Sequence, residues 1–153
     1  EAVKMMESIC NTVEKDFDSI NFNLITKNRK FNSKDDVESI CNAAMMMADN
    51  LEIENIVVMT ESGTTARTMA QYRPHSHIIA LCPYPKVCRQ LSLIWGITSI
   101  KVDQYNSGDE ILYHSARIVR EEGILKKGES FILTAGLPVG IPGTTNLLKL
   151  HSA

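Results

Sequence analysis

Four hydroxyl side chains crowd around one glycine in the segment MTESGTTART, residues 59–68. They belong to Thr60, Ser62, Thr64 and Thr65. The segment follows an apolar run and precedes a helical pattern, so the hydroxyls stand where a strand ends and a helix begins. Free backbone N–H groups at a helix start, with hydroxyls beside them, are suitable for binding a phosphate. Gly63 would let the backbone approach such a ligand closely, whereas Glu61 adds a negative charge.

A second polar loop, GLPVGIPGTTN, occupies residues 136–146. Its glycines are Gly136, Gly140 and Gly143, its prolines are Pro138 and Pro142, and its donors are Thr144, Thr145 and Asn146. Such a loop can fold over a ligand. Both polar loops follow predicted strands, and ligands in open α/β sheets bind beyond the carboxyl ends of the strands.

The same residues allow a purely structural interpretation. Ser and Thr are the commonest N-caps of helices, and a glycine-rich loop before a last strand can be only a turn. Neither G-x-x-x-x-G-K-[ST] nor G-x-G-x-x-G is present, which argues against a P-loop and a dinucleotide fingerprint. Ser62 has no identifiable histidine base, and the four histidines and four cysteines are dispersed. We therefore expect no catalytic residues, no metal site and reduced thiols in a cytoplasmic protein.

Composition indicates a single globular domain. The chain has 153 residues, of which 44% are hydrophobic and 22% charged. Its net charge of −2 gives no general attraction to nucleic acid or anionic lipid. No apolar run approaches the ~20 residues of a membrane span. The first residues, EAVKMMESIC, are amphipathic and acidic rather than a signal peptide, and without an initiator methionine we expect a fragment or a processed product.

Hydrophobic periodicity predicts an alternation of strands and helices. The predicted strands are 55–60, 77–82, 97–102, 130–135 and 147–151, and the predicted helices are 2–17, 34–50, 64–72, 85–95 and 109–122, with Ser33 as the N-cap of the second helix and Gly123 as the stop of the last. This order predicts an α/β fold, a three-layer sandwich with a mostly parallel sheet of about five strands and helices on both faces. The last strand follows only a loop, so we expect it to run antiparallel at an edge.

Five segments in this order resemble the C-terminal domain of pyruvate kinase. They are EAVKMMESI, IVVMTESGTTARTMAQYRP, CRQLSLIWGI, GILKKGE and TAGLPVGIPGTTNLLKL. The first is similar to the last helix of that family's barrel domain. The resemblance therefore implies a barrel helix at 1–17, a linker at 18–34 and a regulatory domain at 35–153.

The family's enzyme transfers a phosphoryl group from phosphoenolpyruvate to ADP with magnesium and potassium, using barrel residues that are absent here. The resemblance thus implies a fragment that is inactive alone and has no cofactor of its own. It also implies an allosteric site that holds an effector phosphate. Its residues would be Thr60, Glu61, Ser62, Gly63, Thr64, Thr65, Gly140, Gly143 and Thr144.

Departures from the family pattern bear on the effector. Gln104 and Ile111 stand where members activated by fructose bisphosphate often have basic or aromatic residues, and Glu61 adds a charge. We therefore expect a sugar monophosphate or AMP rather than fructose bisphosphate. Arg67 could neutralise a phosphate or form a surface or interdomain ion pair.

The resemblance also implies partners: the barrel domain of the parent chain and further copies in a homo-oligomer, a tetramer in the parent. No nucleic acid or membrane is expected. Two alternatives remain open, a free-standing phosphometabolite-binding module and a structural oligomerisation domain without catalysis.

Overall fold

A computed structural model describes residues 1–15, 35–141 and 143–153, and the chain divides into two compact units, 1–30 and 31–153. The described part of the first unit is helix α1, Ala2–Lys15. The predicted helix end at residue 17 and the predicted linker at 18–34 lie outside the described residues. None of the helices in the described ranges is long and apolar enough to cross a membrane.

The second unit begins with helix α2, Asp36–Asn50. Its N-cap is Asp35, whose Oδ1 accepts a hydrogen bond from the Glu38 N–H at 3.1 Å. The prediction of Ser33 as the cap was therefore wrong, although Ser33 itself lies outside the described residues. Both residue types are good caps, and the local backbone decides between them.

The remaining elements alternate as predicted. They are β1 Asn55–Met59, α3 Thr64–Gln71, β2 His77–Cys82, α4 Pro85–Leu91, β3 Ile97–Lys101, α5 Gly108–Glu121, β4 Ser130–Gly136 and β5 Thr145–Ser152. Helix α4 ends one turn before the predicted residue 95. The Ser92 hydroxyl donates to the Cys88 carbonyl at 3.0 Å, a local bond that competes with helix continuation. The next N–H groups then bond three residues back, from Leu93 to Gln90.

The described strands form one sheet in the order β3-β2-β1-β4-β5. Strand β1 pairs in parallel with both β2 and β4, and β2 pairs in parallel with β3. Strand β5 pairs antiparallel with β4 at the edge, which confirms the predicted fold class. From β1 the chain moves outward to β2 and β3, then crosses to β4 on the other side of β1. The loops after β1 and β4 therefore flank a switch point, where open α/β sheets form a crevice.

Helices cover the sheet on both faces. Helix α5 packs, through Ile111 and Val119, against the face of the sheet that carries Val57 and Leu133. Right-handed crossovers and strand alternation place α2, α3 and α4 on the opposite face, where the Cys41 thiol lies 3.8 Å from the Thr65 carbonyl oxygen. The three central strands β1, β2 and β4 are mostly buried between these helices and carry the loops at the carboxyl edge.

Candidate functional site

A cleft opens at the switch point and encloses about 550 Å³, its open mouth included. The loops after β1 and β4 form two of its walls, and the segments after β2 and β3 form the rest. Its lining residues are Met59, Thr60, Glu61, Ser62, Thr65, Pro83, Asp103, Gln104, Tyr105, Ile111, Gly136, Val139, Gly140, Ile141, Gly143, Thr144 and Thr145. The two polar loops predicted from sequence are thus brought together, although about 80 residues separate them along the chain.

The first wall turns at Gly63, which has φ of +80° and is the N-cap of α3. Its N–H donates to the Thr60 hydroxyl oxygen at 3.0 Å. A Cβ at this position would lie 3.0 Å from both the Arg67 Nη1 atom and the Val87 Cγ1 atom. Both the backbone conformation and the close packing against α4 therefore require glycine here.

The hydroxyl groups of Thr60, Ser62, Thr64 and Thr65 have different roles in the first loop. The Thr65 and Thr145 hydroxyls are buried and lie 2.6 Å apart, and Thr60 is buried beneath the turn. The Ser62 and Thr64 hydroxyls lie 2.9 Å apart and are more exposed, and of these two residues Ser62 lines the cleft. The Thr60 hydroxyl satisfies the Gly63 N–H within the turn, and the N-cap of α3 is Gly63 itself, with no side-chain capping bond.

Two backbone donors remain at the start of α3. The Thr64 N–H has a long contact of 3.4 Å to the Ser62 hydroxyl. Within the part of the chain that the structure describes, the N–H groups of Thr65 and Ala66 have no partner. Their positions in the first helical turn leave them without carbonyl acceptors inside the helix. Of these two residues, Thr65 lines the cleft, whereas Ala66 is fully buried and is not part of its lining.

The second wall is the loop between β4 and β5. The Asn146 side chain accepts from the Leu137 N–H at 2.9 Å and donates to the Leu137 carbonyl at 2.6 Å. The Thr144 hydroxyl donates to the Ile141 carbonyl at 2.7 Å. A Cβ on Gly136 would lie 2.9 Å from the Thr144 Oγ1 atom, so the loop base admits only glycine. The Asn146 amide thus forms its hydrogen bonds within the loop and is not a donor for a ligand.

Most of the predicted site residues line the cleft. Those on its walls are Thr60, Glu61, Ser62, Thr65, Gly140, Gly143 and Thr144. Gly63 and Thr64 form the turn behind the first wall. The two walls approach each other closely, because a Cβ built on Gly140 would lie 4.0 Å from the Glu61 Oε1 atom.

The cleft is acidic rather than basic. Glu61 and Asp103 line it, and among the residues described no Lys, Arg or His does. The Asp103 carboxylate lies 4.0 Å from the Lys101 ammonium, and both side chains are mostly in solvent. Arg67 points away, since its guanidinium donates to the Ser62 carbonyl at 2.8 Å and to the Gln90 side chain at 3.1 Å. Arg67 therefore braces the first loop from outside the cleft.

An apolar wall completes the cleft. It contains Tyr105, Ile111, Val139 and Ile141. The Tyr105 ring stacks on the His114 ring with centroids 4.7 Å apart and planes at 8°. Burial, with a smaller effect of Asp103, raises the pKa of the Tyr105 hydroxyl. Asp103 and Tyr105 were not predicted as site residues. They directly follow the third strand, and this position could have predicted that they lie at the same sheet edge as the two polar loops.

Buried thiols support the first loop from below. The Cys82 Sγ atom lies 3.7 Å from the Glu61 carbonyl oxygen and 3.7 Å from that of Tyr84. The Cys88 thiol donates to the Cys82 carbonyl at 3.5 Å. Burial is the main cause that raises the pKa of the Cys82 thiol to about 11, so the neutral thiol is the form that packs here.

Comparisons with known proteins identify what this architecture is similar to. The family described as pyruvate kinase, alpha/beta domain, matches residues 38–151. The pyruvate kinase of Staphylococcus epidermidis is 37% identical over 151 residues, which cover 99% of this chain and 26% of that protein. The pyruvate kinase of Staphylococcus aureus is 38% identical with the same coverage. The chain thus spans about a quarter of the length of these curated relatives.

Proposed function

Since the chain belongs to the pyruvate kinase family through its alpha/beta domain, we propose that it is the regulatory part of a longer enzyme and binds a phosphorylated effector. The parent enzyme would transfer the phosphoryl group of phosphoenolpyruvate to ADP with magnesium and potassium, in the cytoplasm and as a homo-oligomer. The barrel domain preceding this chain would carry that chemistry. The chain alone should then make no pyruvate from phosphoenolpyruvate and ADP.

The observation that carries the proposal is the start of α3 beside the switch-point cleft, where the N–H groups of Thr65 and Ala66 have no partner within the described residues and Thr65 lines the cleft. A helix start concentrates positive partial charge on such groups and favours an anion. Thr65 lines the cleft, and the adjacent Ser62 hydroxyl can rotate to add a third donor. Together they suit one phosphate group.

The same donors limit the effector to one phosphate. A second phosphate would need further donors or cations, whereas the opposite side of the cleft offers the carboxylate of Asp103 and the apolar side chains of Ile111 and Val139. A sugar monophosphate or a nucleoside monophosphate therefore fits better than a bisphosphate.

The test is calorimetry on the whole chain with glucose 6-phosphate, ribose 5-phosphate and AMP. We expect weak, measurable binding of at least one of them. The Ser62→Asp variant should abolish it, because a second carboxylate beside Glu61 would repel the phosphate and replace a donor. The control Ser152→Asp adds the same charge at an exposed residue of β5 and should bind normally. Unchanged affinity in Ser62→Asp would place the phosphate elsewhere.

One observation favours a different function, a structural domain with a vestigial pocket. The Thr60 hydroxyl accepts from Gly63, and the Thr65 and Thr145 hydroxyls bond each other, so several predicted ligand groups already stabilise the fold. Thermal unfolding separates the two proposals. A ligand present at 100 times its Kd adds ~2.7 kcal/mol to the free energy of unfolding, whereas a vestigial pocket would show no shift with any of the three phosphates.

A further inference from the structure

We infer that the ligand of the switch-point cleft carries a positively charged amino group besides its phosphate. The inference rests on the proposed function, because it concerns the ligand of the same cleft. It follows from a mismatch between the donors that suit a phosphate and the charges that surround them.

The mismatch is clearest at Glu61. Its half-buried carboxylate lines the cleft between the two walls, close to Gly140 and four residues before the Thr65 N–H. A phosphate carries up to two negative charges at neutral pH, and no basic side chain in the described lining offsets them. The nearest guanidinium, that of Arg67, is directed to the Ser62 carbonyl and to Gln90 outside the cleft.

A cationic group on the ligand removes this mismatch. An ammonium group within reach of Glu61 would form an ion pair with it and shield the phosphate from the carboxylate. The ion pair would be partly enclosed, so salt would screen it less than a fully exposed one. A phosphorylated ligand of the same shape that lacks the ammonium group would leave the negative charges of Glu61 and the phosphate facing each other with no positive charge between them.

Asp103 gives a second, weaker point of attraction. It also lines the cleft, but its side chain is 93% exposed and lies 4.0 Å from the Lys101 ammonium. Solvent and Lys101 therefore reduce its effect on a ligand. Glu61 should be the main determinant of the preference and Asp103 a minor one.

The rest of the cleft suits a compact carbon skeleton between the two charges. Ile111, Val139 and the ring of Tyr105 form an apolar wall, while Gly140 and Gly143 line the cleft without a side chain. The ligand class is thus an amino-substituted phosphomonoester, such as an amino sugar phosphate.

The probes are glucosamine 6-phosphate and glucose 6-phosphate, which differ by an amino group in place of one hydroxyl. In calorimetry on the whole chain at low salt, we expect the amino sugar to bind about fivefold more tightly. That ratio corresponds to about 1 kcal/mol, the upper end for a solvated ion pair. The ratio should shrink at high salt.

Variants assign the preference to Glu61. In Glu61→Gln the ratio should fall to about one, chiefly because glucose 6-phosphate binds more tightly than to the unmodified chain. Asp103→Asn should reduce the ratio less. The matched control is Glu122→Gln, which removes one exposed carboxylate at the far end of α5 and should retain the full ratio.

The outcomes separate this inference from the proposed function. Equal affinities for the two probes in the unmodified chain, or a ratio unchanged in Glu61→Gln, would overturn the inference and leave the phosphate site in place. Binding of neither probe would overturn the inference, and the proposed function would fall with it only if ribose 5-phosphate and AMP also failed to bind.

Discussion

The Thr65 and Thr145 hydroxyls lie 2.6 Å apart and join the first turn of α3 to the first residue of β5, across 80 positions of sequence. Both residues are nearly excluded from solvent, with 4% and 5% exposure. This bond ties the two walls of the cleft together at their bases.

We predict that Thr65→Val and Thr145→Val each lower the free energy of unfolding in urea by about 1–3 kcal/mol, because each leaves a buried hydroxyl without its partner. The double variant should cost less than the sum of the two, since no unpaired hydroxyl remains. The control Thr68→Val, half-buried on the same helix, should change stability by less than about 0.5 kcal/mol. Additive effects of the two single changes would show that the hydroxyls do not depend on each other.

The two hydrogen bonds between the Asn146 side chain and the Leu137 backbone, here called the Asn146 clamp, give a second prediction. Asn146→Ala removes both hydrogen bonds to Leu137, which we expect to lower global stability by only about 1 kcal/mol because the site is exposed. Backbone amides of 139–144 should exchange with solvent faster, and the affinity for glucose 6-phosphate should fall. Asn50→Ala removes an exposed amide at the end of α2 and serves as the control. Slow exchange in the loop of Asn146→Ala would show that the clamp does not hold it.

Alkaline pH should destabilise the domain through its buried thiols. Burial raises the pKa of Cys41 from 9.0 to about 12, and that of Cys82 from 9.0 to about 11. Above pH 9 the unfolded thiols lose protons that the folded ones keep, so the free energy of unfolding falls as pH rises. Each thiol contributes a slope of up to about 1.4 kcal/mol per pH unit, and both act between pH 9 and 11.

Urea unfolding across pH 8 to about 11 measures this slope. Cys41→Ala should make the decline with pH shallower, whatever its own cost in stability. Cys10→Ala removes an exposed thiol in α1 and should leave the slope unchanged. An identical slope in Cys41→Ala and the unmodified chain would contradict the assignment to Cys41.

The boundary of the alpha/beta domain can be tested by truncation. The unit that spans residues 31–153 contains the sheet and the core described above. Removal of residues 1–17 should therefore leave a chain that unfolds cooperatively, as followed by circular dichroism. A broad, non-cooperative transition after truncation would show that the first helix is needed for the fold.

The sequence predicts the elements well, because their signals are local. Branched apolar residues such as Ile56 and Val57 make short buried strands, and the left-handed Gly123 ends α5 where the helical pattern stops. The exceptions are also local. Asp35 rather than Ser33 caps α2, and a Ser92 hydroxyl ends α4 early; in both cases a polar side chain could bond the backbone in more than one way.

The candidate site is predictable only in part. Its two polar loops carry unusual residues and could be located, but which hydroxyls point inward depends on contacts such as that between Thr65 and Thr145. Asp103 and Tyr105 line the cleft because β3 ends beside β2. This neighbourhood depends on the order of strands in the sheet, which the local sequence pattern does not predict. The acidic character of the cleft follows from that order and from the outward direction of Arg67.

The strand order has a kinetic consequence for any bound molecule. Strand β4 pairs directly with β1 although β2, β3 and α5 lie between them in the chain, so both walls of the cleft depend on a pairing that is distant in sequence. A ligand held by both walls would therefore stabilise only states in which that pairing is formed. It should slow, by one common factor, the hydrogen exchange of all core amides that open in global unfolding, even on β3, and leave unslowed those that exchange through fraying.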